Sequence, residues 1–216
     1  EQGGVDAHGE HLTGALAERL LTDDGGRTVT GVVVQRGDDE FTVRGHLVVV
    51  SCGAINSAAL LLRSGSNAHP EGLGNSSGMV GRHLMVHNNG TLVAISSTPN
   101  PSQFQKAFGI FDFYHRADDS DLPLGAAQLM GKMDLGWLYS MAHEQVPDMT
   151  PEELSAHAIE FFLTAEDLPD PDNRVVLGRD NGIALHYRQN NMEAYRRLQA
   201  RMAGALSGCG CPHHLH

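Results

Sequence analysis

The sequence predicts a mixed α/β (α+β) fold, and three observations carry that expectation. Thr28 to Gln35 is rich in β-branched residues and His46 to Ser51 is an unbroken Val/Leu run, both strand signals. Ser51-Cys52-Gly53 then leads into the Ala/Leu stretch Ala58 to Leu62, a strand–glycine–helix joint. Near the C-terminus Met192, Tyr195, Leu198, Met202 and Ala205 recur at spacings of three and four, as on one face of a helix.

Taken in order, Glu1 to His11 shows no clear period, and Ala15 to Leu21 is a short apolar stretch closed by the turn Asp23-Asp24-Gly25-Gly26. The Thr28 strand turns at Gly37-Asp38-Asp39 into an alternating segment at Phe41 to Arg44, giving an antiparallel ribbon. The His46 run suits a strand buried on both faces, as in a parallel or mixed sheet. After it, Asn56 or Ser57 serves as helix N-cap and Gly65 as terminator. Loop sequence follows to Gly78. Asn89 to Ser96, Phe104 to Phe113, Leu124 to Met133 and Arg174 to Leu177 read as further strands. Thr150-Pro151-Glu152-Glu153 is a helix start, with Thr as cap, Pro at the first position and acids in the first turn. Arg196, Arg197 and Arg201 fall on the outer side of the last helix.

Composition narrows the function classes. Hydrophobic residues make up 41% of the 216 residues, enough for a sizeable core, and the net charge of −11 disfavours nucleic acid or an anionic membrane surface as partner. The longest apolar runs are far below the roughly 20 residues of a membrane span. Three cysteines do not make a disulfide framework. The chain starts at Glu1 with neither Met nor an apolar leader, and both ends read as cut. The default expectation for compartment is cytoplasmic.

The most specific local signal is Cys52-Gly53-Ala54-Ile55-Asn56-Ser57-Ala58 followed by Leu60-Leu61-Leu62-Arg63-Ser64-Gly65. On spacing alone it is any strand–Gly–helix joint. It resembles, however, the second sequence signature of the glucose–methanol–choline oxidoreductases, with Ala58 in place of the commoner Pro. Two further stretches are similar to family elements in the same order, Gly72 to His87 and Glu166 to Val175.

That resemblance implies part of an FAD-binding Rossmann-like domain over 1–95, an antiparallel-sheet substrate domain over 96–190, and a helix and linker over 191–216. It implies FAD as cofactor, an alcohol such as a sugar or polyol as substrate, and hydride passing to the flavin. Cys52, Gly53, Ala54 and Asn56 would pass the adenosine half of FAD, the first three through their backbone. Ala17, in the stretch Thr13 to Leu20, would pass the adenine. The electron acceptor is left open. The family's Gly-x-Gly-x-x-Gly unit has no counterpart here, and its catalytic His block is expected beyond the C-terminus. No catalytic residue is therefore assigned, and the chain alone is expected to be inactive with weak or no FAD affinity.

Two alternatives remain in play: a non-catalytic binding module on the same scaffold, and a metal-binding protein using Cys209, Cys211, His213, His214 and His216. Cysteines one residue apart are too close for structural zinc spacing, so no metal ligand is assigned. Asp167, Asp170 and Asp172 match a calcium loop only loosely and read as a turn. His87 is read as a packed, hydrogen-bonded histidine. Phe104, Phe108, Phe111, Phe113 and Tyr114 either line a substrate cavity or form one packed face of a sheet, and the packed face is adopted.

Overall fold

The computed structural model describes residues 9, 11–117, 120, 122–211 and 213–215, with the side chains of 213–215 outside the description. In chain order the first elements are β1 (Leu16–Thr22), β2 (Val29–Arg36), β3 (Asp39–Val43), α1 (Gly53–Arg63), β4 (His87–Ile95), β5 (Gly109–Ile110) and β6 (Ala126–Leu129). They are followed by α2 (Leu135–Ala142), α3 (Pro151–His157), β7 (Ala158–Glu166), β8 (Arg174–Leu177), β9 (Ile183–His186), α4 (Met192–Gly208) and β10 (His213–Leu215). Two compact units result, 1–84 with 169–188 and 85–168 with 189–216. The first division thus falls at 84/85, where the sequence suggested 95, and 169–188 groups with the N-terminal residues.

In the first unit β1, β2 and β3 form an antiparallel sheet in that order. Asp23 Oδ1 accepts from the Arg27 and Thr28 N–H groups at 2.8 and 3.2 Å, which closes the β1–β2 turn and holds the Asp23 carboxyl below its usual value. The β2–β3 ribbon is as expected. The buried strand over 46–51 is not: among the described residues no strand pairs with it, and Leu47 and Val49 are 81% and 73% exposed. A doubly buried strand needs a neighbour on each edge, and every described pairing in this chain is antiparallel and made elsewhere. Helix α1 packs Ala58 and Ala59 against Leu84 and Val175. The buried Asn173 holds this region, donating to Arg188 O and accepting from Arg188 N, while its carbonyl accepts from Leu84 N.

The second unit is a five-stranded antiparallel sheet in the order β10-β4-β7-β6-β5. Its spine is the nine-residue register of β4 with β7, from His87↔Glu166 to Ile95↔Ala158. Alternate residues point to opposite faces. One face carries Leu92, Ala94, Phe161 and Leu163, on which α4 lays Ala194, Leu198, Met202 and Leu206. This is the expected apolar stripe, rotated so that Ala194 and Leu206 are buried and Ala205 is exposed. The other face carries Val93, Ile95 and Ala158, covered by Leu138 and Ala142 of α2 and Leu154 of α3. Helix α3 begins as the sequence predicts, Thr150 and Glu153 capping each other's backbone with Pro151 at the first position.

The expected strands over 104–113 and 124–133 shrink to Gly109–Ile110 and Ala126–Leu129. Strands β7 and β9 and helix α2 lack a counterpart in the sequence reading. At the end of the sheet the buried Asp167 accepts from Val86 N at 3.1 Å and from Asn88 Nδ2 at 3.3 Å. Asn88 also donates to Asn190 O and accepts from Gln189 Nε2, which ties the start of β4 to the approach to α4.

Candidate functional site

The strand–glycine–helix joint keeps its glycine for a conformational reason. Gly53 has φ +78°, a region L side chains avoid, and a Cβ there would meet nothing within 4 Å. The helix starts earlier than expected. Cys52 takes the N-cap place without a side-chain cap, and Ser57 instead accepts from Cys52 N–H at 3.1 Å. Asn56 and Ser57 are therefore inside the helix, Asn56 in its first turn, rather than capping it. No acidic residue lies in that turn, and Gly53, Ala54 and Asn56 are exposed, so the positive helix end is open to an acceptor group.

Cys52, Gly53, Ala54 and Asn56 form one exposed turn, whereas Ala17 is half-buried on β1 at an irregularity in its pairing with β2. The hydrogen bond described between β1 and the α1 terminus is from Leu20 N–H to Ser64 Oγ at 2.8 Å, at the helix's opposite end. Four of the five predicted cofactor residues thus lie on this one turn, and Ala17 lies on β1. An open helix end with a glycine that leaves room for close approach suits the backbone recognition of a nucleotide's acceptor atoms. The turn from Cys52 to Asn56 carries no His, Asp, Glu or Lys side chain.

A second feature lies within the other unit. The sheet face opposite α4 is covered by α2 and α3 over half its length, and its other half opens into a cavity of about 540 Å³. Gln128 and Phe162 are direct cross-strand partners, as are Ala126 and Thr164, so all four share this face. Phe111 and Tyr114 complete the wall, their rings edge-to-face at 6.2 Å. The packed-face reading of the aromatics fails for most of them: Phe104, Phe108, Phe111 and Tyr114 are at least half exposed, and Phe113 alone of the five joins the core. The reason is that β5 is two residues long and its flanks run as loop.

The remaining candidates separate. His87 is an exposed residue whose Nδ1 lies 2.9 Å from Glu166 Oε2, not a packed histidine. Cys211 is buried in the core beneath α4 while Cys209 is exposed, so the two thiols do not converge. The side chains of His213 and His214, and His216, lie outside the described residues. Asp170 closes the turn before β8 by accepting from Asp172 N, and Asp167 is engaged with β4, as a turn rather than a calcium loop requires. Among the described residues no group of three His, Cys, Asp or Glu could hold a metal ion. No helix described is long and apolar enough to cross a membrane. What the sequence missed was the placement of Gln105, Lys106 and Gln128 beside the aromatics; the Phe-x-Phe-Tyr run from Phe111 to Tyr114 was the signal that pointed there.

Residues 4–89 match the GMC oxidoreductase family. Over 182 residues, 78% of this chain, it is 28% identical to the 2-methyl-1,2-propanediol dehydrogenase of Mycolicibacterium austroafricanum, of which it covers 33%. Over 172 residues, 76% of this chain, it is 31% identical to the paromamine 6'-oxidase of Streptomyces fradiae, of which it covers 30%. This chain belongs to the GMC oxidoreductases. It spans about a third of the length of the curated GMC relatives it matches. Among solved structures, a pyridoxine 4-oxidase from Mesorbium loti aligns over 91% of this GMC chain and 39% of its own, at 17% identity and a TM-score of 0.48.

Proposed function

We propose that this chain is an internal portion of an FAD-dependent enzyme that oxidises the CH–OH group of an alcohol. The observation that carries the reading is the family match across 4–89, which includes the open N-terminus of α1. The relatives support it by their names, one a dehydrogenase of a diol and one an oxidase. When bound, FAD supplies the acceptor for the hydride equivalent removed from the alcohol carbon.

The residues present fit the adenosine half of that cofactor. The N–H groups of Gly53 and Ala54 would donate to it, the Cys52 backbone, whose N–H is held by Ser57, would pass alongside it, Gly53 would let the backbone approach, and Asn56 would add a polar side chain from the first turn. Ala17 would pass the adenine from β1. In this reading the unit 1–84 with 169–188 is the flavin side, and the sheet of the other unit is the substrate side. The proton acceptor would come from outside the 216 residues.

The test uses the longer protein that contains this chain, purified with its flavin and mixed anaerobically with a panel of alcohols. Loss of the oxidised flavin's absorbance with an alcohol, and not with the matching ketone, is the expected result. A flavin that no alcohol in the panel bleaches would sink the reading. In the same protein Gly53→Val should lower flavin retention, because the turn has to hold a positive φ.

A further inference from the structure

The cavity beside β6 and β7 has walls of one chemistry and rim groups of another, and the combination limits what can sit there. The rings of Phe111, Tyr114 and Phe162 offer flat apolar surface. The amides of Gln105 and Gln128 offer donors and acceptors at the edge, and Lys106 offers a positive charge. Among the described lining residues there is no carboxylate. A volume of about 540 Å³ lies in the range of small-molecule sites, roughly 300–1,000 Å³.

Lys106 is held in place by its backbone. Its N–H donates to Leu129 O at 2.7 Å, tying the 105–108 segment to β6, and its φ of +56° sets the direction of the chain there. Two fields then act on a charged ligand. The net charge of −11 favours cations over the whole molecule, but it is spread out and screened beyond about 8–10 Å at ordinary ionic strength. Lys106 acts within the cavity itself, so at contact the local charge dominates.

We propose that this cavity receives the organic body of the alcohol substrate, and that Lys106 selects for planar, ring-bearing alcohols that are uncharged or carry an anionic group, against those carrying an ammonium. The proposal rests on the alcohol-oxidoreductase reading for the word substrate, and on the cavity alone for the selectivity. Cation–π attraction to the three rings is the competing effect, and it predicts the reverse order.

Three probes that differ only in charge separate these outcomes in the 216-residue chain: para-hydroxymethylbenzoate, benzyl alcohol and para-aminomethylbenzyl alcohol. Their dissociation constants would be read from the side-chain amide signals of Gln105 and Gln128 in NMR titrations. The expected order of affinity is anion, neutral, cation. Lys106→Gln, at an exposed position, should reduce the anion-over-neutral preference by roughly two- to five-fold, the range of an exposed charge pair. Tightest binding of the aminomethyl probe, or an anion preference that survives Lys106→Gln, would overturn the selectivity. Benzoate without its hydroxymethyl group is the separate control. If it binds as tightly as the hydroxymethyl compound, the cavity is an acid site and the substrate assignment falls while the charge preference stands. If instead the order holds but no alcohol bleaches the flavin of the longer protein, the enzymatic reading fails and the cavity's selectivity survives it.

Discussion

Two stretches of nearly the same composition meet opposite fates in this molecule. Leu92-Val93-Ala94-Ile95 in β4 is buried throughout, with Leu92 at 0% exposure, while Leu47-Val48-Val49-Val50 has Leu47 at 81%. The difference lies in their neighbours rather than in their side chains. β4 pairs with β7 on one edge and β10 on the other, has α4 on one face, and is covered by α2 and α3 on the opposite face. The 47–50 run has no described strand partner. Apolar composition states what a segment can bury, and the fold decides whether anything arrives to bury it.

The largest expected effect separates the two directly. Leu92→Ala should destabilise the chain by about 2–5 kcal/mol, since the side chain is enclosed between the sheet and α4 and leaves a cavity. Leu47→Ala should stay within about 0.5 kcal/mol. Urea denaturation of both variants measures the contrast. A large loss at Leu47 would show that the run is covered in solution, by another copy or by a segment folding onto it.

The same contrast explains which elements were legible in the sequence. β2, β8, α3 and α4 were found because their signals are local: β-branched runs, a Thr-Pro-Glu-Glu cap, and a three-and-four spacing. The 46–51 strand was misjudged because burial on both faces is a property of partners that the run itself does not encode. β7 was missed although it is the centre of the sheet. Its buried Glu160 interrupts the apolar face, and Phe161-Phe162 puts one ring on each side, so neither alternation nor a plain apolar run stands out. Helix α2 is eight residues with apolar groups all round, which leaves no stripe to detect. The Cys52–Asn56 turn was legible as a site because it is contiguous. The cavity was half legible, since Phe111 and Tyr114 stand close in sequence but Gln128 and Phe162 join them only through the β6–β7 register.

A smaller effect sharpens the picture of β4. Gly90 faces α4, where the Tyr195 hydroxyl occupies the place a Cβ would need. Gly90→Ala should therefore cost about 1–3 kcal/mol by overpacking. Tyr195→Phe in the same chain should return part of that loss, which a double-mutant cycle reads as coupling between the two sites. Additive losses would mean that α4 shifts freely away from β4, and that the tight packing on this face is less firm than the burial of Leu92 suggests.

The smallest effect concerns the buried acid of the spine, Glu160, directly opposite Val93. Burial raises its carboxyl above the usual 4.5, against the opposing pull of Lys132 and of the Met133 N–H. Lys132 is pushed down by its own burial and donates to Ser155 O and Ala158 O at the end of α3. With a folded value above the unfolded one, the group contributes most to stability below about pH 4.5, and that contribution is lost as pH rises through the folded value. Glu160→Gln resembles the protonated acid and keeps an acceptor for Met133 N–H. It should melt higher than the parent chain at neutral pH, by less than either packing variant changes stability, and match it near pH 4. The pH dependence of the melting difference is the readout. If Glu160→Gln instead melts lower at neutral pH, the charge pair with Lys132 outweighs the cost of burial, and β4 owes part of its stability to the very charge that made β7 hard to see.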